Sequence, residues 1–393
     1  MRLLILTNLY PPQELGGYGR CMADFAWALQ QRGHSITVLS SDAPYLGPGD
    51  GQGPSGEPVL RQLVLKGSYR GGVQAIQDPQ QRLAIDHRNQ AAITALWQRQ
   101  GPFDGVLLGN IDLLGLEVVD PLLGLGALVL HHVGFVQPPF AAEQLPRSRR
   151  YQLVGASRAV SAALAAAGLS PQPPPVVFPG VRCDLFGAHA TGRPLPSPLD
   201  GRHRGRRLGT AEQPLRVCFA GLLMGSKGAH TLVEALVLLK QQGIATEGFL
   251  AGGAFQAGYR EQLEALLLRH GLQQVRFVGQ LQRHQLARLF RLHHACVFPS
   301  IHPEAFGIVG AEAMASGLAL VSSGAGGASE LFEPGSSGLP FEAGNGADLA
   351  QKLAWLCQHP EQLLQLARQG EQRARQHLDV LHSAQQLEGL LQG

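Results

Sequence analysis

Arg2-Leu3-Leu4-Ile5-Leu6-Thr7 opens the chain as a short apolar run, and Ser35-Ile36-Thr37-Val38-Leu39 is a second run with β-branched character. Between them a helical pattern over about 18–32 carries Phe25, Ala26 and Leu29 on one stripe and stops at Gly33-His34. Strand, loop, helix and strand in this order form the unit from which parallel sheets are built. Further buried strands are expected at 103–108, 126–131 and 151–156.

The alternation restarts after residue 214. Strands are expected at 215–220, 246–251, 274–278, 295–298 and 318–322, and helices at 228–241, 258–270, 284–292, 308–316, 346–358 and 360–391. Residues 42–58 and 171–179 are crowded with Gly and Pro and read as surface loops. The segment 187–214 is Gly/Pro/Arg-rich without periodicity and reads as a linker. The expected fold is therefore α/β, with two doubly wound parallel-sheet domains. Function is expected in the cleft between them, at the carboxyl ends of the strands.

Composition sets the outer limits. The 393 residues are 45% hydrophobic and only 16% charged, which argues against disorder. No uninterrupted apolar run approaches the ~20 residues of a membrane helix. Gly and Pro, at 50 and 26 residues, are in excess and imply many tight turns and close backbone approaches. The net charge of +3 is too small to point to nucleic acid. Lys and Arg number 14 against 13 Asp and Glu in 1–186, 13 against 14 in 215–393, and 5 against 2 in 187–214. The positive excess thus belongs to the linker and does not describe a substrate channel.

The five cysteines are scattered without a C-x-x-C spacing and read as free thiols in a reducing compartment. The opening residues are too short for a signal h-region and lack a small-residue cleavage site, so the cytoplasm is the expected address.

Three constellations carry chemistry. The first is Glu14-Leu15-Gly16-Gly17-Tyr18-Gly19-Arg20, between the first strand and first helix. Glycines there let backbone amides approach an anion, and the helix N-terminus adds partial positive charge. A dinucleotide fingerprint would need G-x-G-x-x-G, which cannot be written, although Asp42 stands after the second strand as a ribose-binding acid would. A plain glycine loop and a phosphate loop both remain open from these residues alone.

The second constellation is Phe219-Ala220-Gly221-Leu222-Leu223-Met224-Gly225-Ser226-Lys227-Gly228. A strand runs into a glycine loop, and Lys227 places an ammonium beside the free N–H groups of the next helix, a setting for a diphosphate. It is not a P-loop, because no Ser or Thr follows the lysine. A solvated surface lysine is the alternative.

The third runs from Pro299 to Gly317 and holds Glu304 in a loop and Glu312 eight positions later, inside a helix. Val309, Ala311, Ala313 and Met314 surround Glu312, so its carboxylate needs a partner. The amides after Gly307 head the helix and offer a further anion site.

These residues, in this order, resemble the retaining GT-B glycosyltransferases of family four (glycosyl transferases group 1), whose E-x7-E motif Glu304 and Glu312 match. The resemblance covers nearly the whole chain. It includes Gly16-Gly17, Arg32-Gly33-His34-Ser35-Ile36-Thr37-Val38, Val177-Phe178-Pro179-Gly180-Val181-Arg182-Cys183-Asp184-Leu185-Phe186, Val275-Arg276-Phe277-Val278-Gly279 and Gly326-Gly327-Ala328-Ser329-Glu330. The family's asparagine is absent from the segment that starts at Val177.

The resemblance implies two Rossmann-like domains facing a central cleft. They are residues 1–186 on the acceptor side and 215–375 on the donor side, with the 187–214 linker between and 376–393 as a C-terminal helix returning to the N-terminal domain. It implies transfer of a hexose from a nucleotide diphosphate sugar, with retention and with neither metal nor cofactor. By that carry-over Glu312 holds the ribose hydroxyls and Glu304 the sugar hydroxyls. Lys227 and the Gly17 and Ile308 amides stabilise the departing diphosphate, with Gly16, Gly221, Phe306 and Gly307 completing the donor site. His132, in His131-His132 after a strand, lines the sugar site. His34, His293 and His294 read as structural, and Ser157 as loop architecture.

One position departs from the pattern: Leu222 stands where the family commonly has an arginine that clamps the same phosphate. The acceptor, whether saccharide, lipid or small metabolite, would be shaped by loops 42–58, 66–79 and 134–150. These contain Tyr45, Tyr69, Phe135, Phe140, Arg147, Arg149 and Arg150, and the last three could brush an anionic membrane. A nucleotide-sugar epimerase of the same fold, a nucleotide-sugar binding protein and an NAD oxidoreductase are the competing expectations.

Overall fold

The computed structural model describes residues 1–17, 19–49, 51–187 and 207–392. They form two compact units, one of residues 1–180 together with 380–393, the other of residues 181–379.

In the first unit the strands are β1 (Arg2–Thr7), β2 (Ser35–Ser41), β3 (Val59–Leu63), β4 (Gly67–Ser68), β5 (Gln74–Ala75), β6 (Gly105–Gly109), β7 (Val129–Val133) and β8 (Tyr151–Gly155). Six of them form a parallel sheet in the order β3-β2-β1-β6-β7-β8, while β4 and β5 make a small antiparallel hairpin. In register, Leu3 faces both Ile36 and Gly105. Leu3 to Leu6 are fully buried, as a central strand covered on both faces requires. The covering helices are α1 (Arg20–Gln31), α2 (Pro79–Gln100), α3 (Val119–Gly124) and α4 (Arg158–Ala166).

The second unit repeats the plan. Strands β9 (Leu215–Ala220), β10 (Thr246–Ala251), β11 (Val275–Gly279), β12 (Ala295–Phe298), β13 (Ala319–Ser322) and β14 (Leu339–Pro340) lie in the parallel order β11-β10-β9-β12-β13-β14. Its helices are α5 (Cys183–Phe186), α6 (Ala229–Gln241), α7 (Tyr259–Arg269), α8 (Arg283–Arg291), α9 (Ile308–Ala315), α10 (Gly346–Gln358) and α11 (Pro360–His377). Val217, Phe219, Leu232, Leu236, Leu250 and Val297 are at the centre of its core. In each sheet the strand order reverses beside the first strand, which is what double winding means. No helix among the described residues is long and apolar enough to cross a membrane.

Three boundaries differ from the sequence reading. The units divide after Gly180, not after Phe186, because α5 packs on α8 and α9 and buries Phe186 against Phe290 with ring centroids 6.2 Å apart. The helical stretch over 360–391 is divided between α11 and α12 (Val380–Gln392), the second belonging to the first unit and starting four residues after the 376 expected for the C-terminal helix. The break has a cause: the Leu378 carbonyl accepts from the Val181 amide at 2.7 Å and Asp379 bridges to Val181, which takes the backbone out of the helical path. The strand expected at 126–131 is displaced to Val129–Val133, because the chain before it turns, with the Gly126 amide on the Leu123 carbonyl at 3.0 Å. Residues 188–206, most of the expected linker, lie outside the described residues.

The long helix α2 went unread for a physical reason. The face it buries includes Asp86 and Asn89 beside Ile93 and Leu96, so no clean apolar stripe marks it. Asn89 accepts from the Val64 amide at 2.8 Å and donates to the Val64 carbonyl at 2.9 Å, while Asp86 pairs with Lys66 at 2.9 Å.

Candidate active site

The site is assembled at the carboxyl edge of the second sheet. After β9 the chain passes Gly221, Leu222 and Lys227 and enters α6 through Gly228, which caps the helix in the left-handed region at φ +69°. A side chain cannot stand there: a Cβ on Gly228 would meet the Pro299 backbone. The loop 225–228 is thereby laid directly on the loop that follows β12. The Ile301 amide donates to the Ser226 carbonyl at 2.9 Å, and the Gly225 amide donates to Gln256 Oε1 at 2.8 Å.

This stitching brings Lys227 to Glu304. Lys227 Nζ donates to Glu304 Oε1 at 2.7 Å and Oε2 at 2.9 Å. The side chains are 31% and 15% exposed, so the pair is sheltered yet reachable. The Ser300 hydroxyl also donates to Glu304 Oε1. On its backbone Glu304 is clamped from the other side, its amide on the Ala325 carbonyl at 3.0 Å and its carbonyl receiving the Gly327 amide at 2.7 Å. Gly326, at φ +62°, permits this, since a Cβ there would come within 2.6 Å of the Glu304 carbonyl oxygen.

Directly after Glu304 the chain buries Phe306 and turns at Gly307 into α9. No side chain caps α9 and no acidic residue occupies its first turn. The first-turn amides, headed by Ile308, thus present the positive end of the helix without internal compensation. One turn in, Glu312 is fully buried. Arg283 Nη2 lies 3.5 Å from Glu312 Oε1, and the Arg283 guanidinium sits 5.5 Å from the Phe186 ring centroid. An arginine is the partner that lets a carboxylate remain charged at such depth.

The remaining predicted residues lie in the first unit. Gly16 and Gly17 stand in the turn before α1, whose cap, Gly19, also supplies no side-chain acceptor. The adjoining Tyr18 lies outside the described residues. His132 is a buried residue of β7, its Nε2–H donating to the Val177 carbonyl at 2.8 Å and the Phe25 ring edge-on at 5.0 Å. Burial pushes its pKa down to about 4, so the ring is neutral at physiological pH. Its neighbour His131 bonds the Tyr151 hydroxyl through Nδ1 at 2.6 Å, and burial pushes it down to about 3. Of the histidines read as structural, His34 bonds the Met1 amino group at 3.2 Å, His293 of the second unit bonds the Leu289 carbonyl at 2.6 Å, and His294 accepts from the Arg216 amide at 2.9 Å, while Ser157 caps α4 by accepting from the Val160 amide at 3.1 Å.

Sequence reasoning missed Ser300, Arg283 and the positioning roles of Gly228 and Gly326. The signal for the two glycines was present, since each adjoins a residue singled out or a matched signature. Nothing in the sequence ties Arg283 to Glu312.

Residues 205–373 match the family model described as Glycosyl transferases group 1. D-rhamnosyltransferase WbpZ of Pseudomonas aeruginosa is 33% identical over 198 residues, 50% of this chain and 49% of that protein. A D-inositol 3-phosphate glycosyltransferase of Streptomyces bingchenggensis is 31% identical over 207 residues, 51% and 43% of the two chains. The chain spans about half the length of the curated relatives it matches. Among solved structures, Anabaena Alr3699/HepE in complex with UDP and glucose has a TM-score of 0.74 at 20% identity, over 100% of this chain and 99% of that one. A glycosyltransferase from Rickettsia africae has 0.76 at 16% identity, over 99% and 97%. The fold is that of the GT-B glycosyltransferases.

Proposed function

We propose that the chain is a glycosyltransferase that moves a hexose from a nucleotide diphosphate sugar to an acceptor hydroxyl, with retention at the anomeric carbon, as in family four. The observation that carries this reading is the Lys227–Glu304 pair at 2.7 Å, set beside the uncapped start of α9. A cation, a carboxylate and a helix N-terminus at one edge of one sheet match the charges that separate when a sugar–phosphate bond breaks. The relatives' names and the UDP and UDP-glucose complexes of the Anabaena protein support the same chemistry.

The steps follow from charge. As the bond between the anomeric carbon and the diphosphate oxygen breaks, negative charge grows on the diphosphate and positive charge on the sugar ring. The Lys227 ammonium and the first amides of α9, with Gly221 and Gly307 keeping the backbone open, neutralise the diphosphate. Glu304 accepts hydrogen bonds from the sugar hydroxyls and stabilises the developing cation, while Glu312 holds the ribose hydroxyls. The acceptor oxygen bonds the anomeric carbon on the face the diphosphate leaves, and its proton passes to the departing phosphate oxygen. Gly16 and Gly17 are assigned to the diphosphate. His132 is assigned as a neutral group lining the sugar site.

The test is release of nucleotide from UDP-, ADP- and GDP-sugars. Lys227→Ala and Glu304→Ala should each abolish it; unchanged release in both would sink the assignment. Leu222 favours one second reading, a binding protein with little turnover, because half of the usual cationic clamp is missing. Calorimetric binding of a sugar nucleotide without any release would select that reading.

A further inference from the structure

We propose that Ser300 is a positioning residue that holds Glu304 in place once Lys227 has moved to the diphosphate; this rests on the donor-site reading above. Lys227 bonds both oxygens of Glu304, whereas the Ser300 hydroxyl bonds Oε1 alone. A diphosphate carries more negative charge than a carboxylate, so binding the donor draws the ammonium away from Glu304. Oε2 then has no remaining side-chain donor among the described residues, and Oε1 keeps the serine. The carboxylate is left with one oxygen tethered and the other available to a sugar hydroxyl.

The serine is built for this. It is 1% exposed, so water does not compete for its hydroxyl. Its backbone carbonyl accepts from the Ser323 hydroxyl at 2.6 Å, which ties the loop after β12 to the end of β13. The adjoining Ile301 amide is held by the Ser226 carbonyl at 2.9 Å. Ser300 therefore has few ways to turn, and its one hydroxyl proton is directed at Glu304. Without that bond, a flexible side chain freed of its ammonium partner would sample other rotamers, and the misplacement would be felt in the transition state more than in nucleotide binding.

The experiment uses the full chain and its Ser300→Ala and Ser300→Thr variants. Initial rates of nucleotide release are measured with UDP-, ADP- and GDP-glucose, and the affinity of the matching nucleoside diphosphate is measured by calorimetry. Ser300→Ala should lower kcat at least tenfold while the diphosphate Kd stays within twofold, and Ser300→Thr should recover most of the rate. A wild-type kcat in Ser300→Ala overturns the proposal. So does a diphosphate affinity that falls as far as the rate, which marks a collapsed loop, or a threonine variant as slow as alanine. If the unaltered chain neither binds a diphosphate nor releases one, the donor-site reading itself fails and takes this proposal with it. That outcome is distinct from one in which only the serine proves idle.

Discussion

Gly228 and Pro299 meet backbone to backbone: a Cβ on the glycine would stand 1.9 Å from the proline carbonyl oxygen. The contact fixes how far the loop bearing Lys227 lies from the loop bearing Glu304. Gly228→Ala must both strain a left-handed φ and push that carbonyl away. It should cost about 3 kcal/mol of stability, read as a lower urea midpoint. Nucleotide affinity should fall as well, because the two loops separate. An alanine variant with wild-type stability would show that the loops part without penalty.

Glu312→Gln separates charge from shape. The amide keeps the volume of a fully buried side chain and removes the charge that faces Arg283 at 3.5 Å. Loss of a charged acceptor for the ribose hydroxyls should weaken diphosphate binding by about 1.5–3 kcal/mol, near ten- to hundredfold in Kd. Calorimetry with UDP, ADP and GDP reads this directly, and an unchanged Kd would remove Glu312 from the donor site.

Leu222→Arg asks whether the missing cation matters. If the single ammonium of Lys227 limits charge neutralisation, a guanidinium one residue after Gly221 should raise the rate of nucleotide release about tenfold, as expected for a donor to developing phosphate charge. A rate at or below that of the unaltered chain would show that Lys227 and the α9 amides suffice.

The buried histidines make stability depend on pH. An unfolded imidazole binds a proton near pH 6.5, whereas burial lowers His132 to about 4 and His131 to about 3. The unfolded chain therefore takes up protons first as pH falls. The stability contributed by the two neutral rings is complete above about pH 6.5 and is lost progressively down to about pH 4 for His132 and about pH 3 for His131. The urea midpoint should drop across that window, and His132→Gln, which retains a donor for the Val177 carbonyl, should flatten the drop.

How far the molecule could be read from its letters depended on how each element is held. β1, β12 and β13 hold unbroken apolar runs, and β2, β9, β10 and β11 are short apolar or β-branched stretches between turn signals, so all of them announce themselves. Lys227 and Glu304 were legible because each follows a strand beside a glycine-bearing loop. α2 was not, since Asn89 and Asp86 face inward and are satisfied by Val64 and Lys66, partners distant in sequence. Arg283 was invisible for the same reason: a buried pair between residues 29 positions apart leaves no periodic trace. His132 stands between these cases. Its place after an apolar strand drew attention, but the carbonyl it bonds belongs to a loop 45 residues away.

Helix α12 follows the whole second unit in the chain yet covers α1 of the first. Its Glu388 takes the guanidinium of Arg32 at 2.6 Å, and it buries Val380, Ala384, Leu387 and Leu391. During synthesis the whole second unit emerges from the ribosome before the first receives this cover. The unit made first of the two is thus the later one to mature, with the face of α1 that receives α12 uncovered until then. A chain stopped before Val380 would present that face permanently, so a truncation after the second unit would surface as aggregation driven by the first.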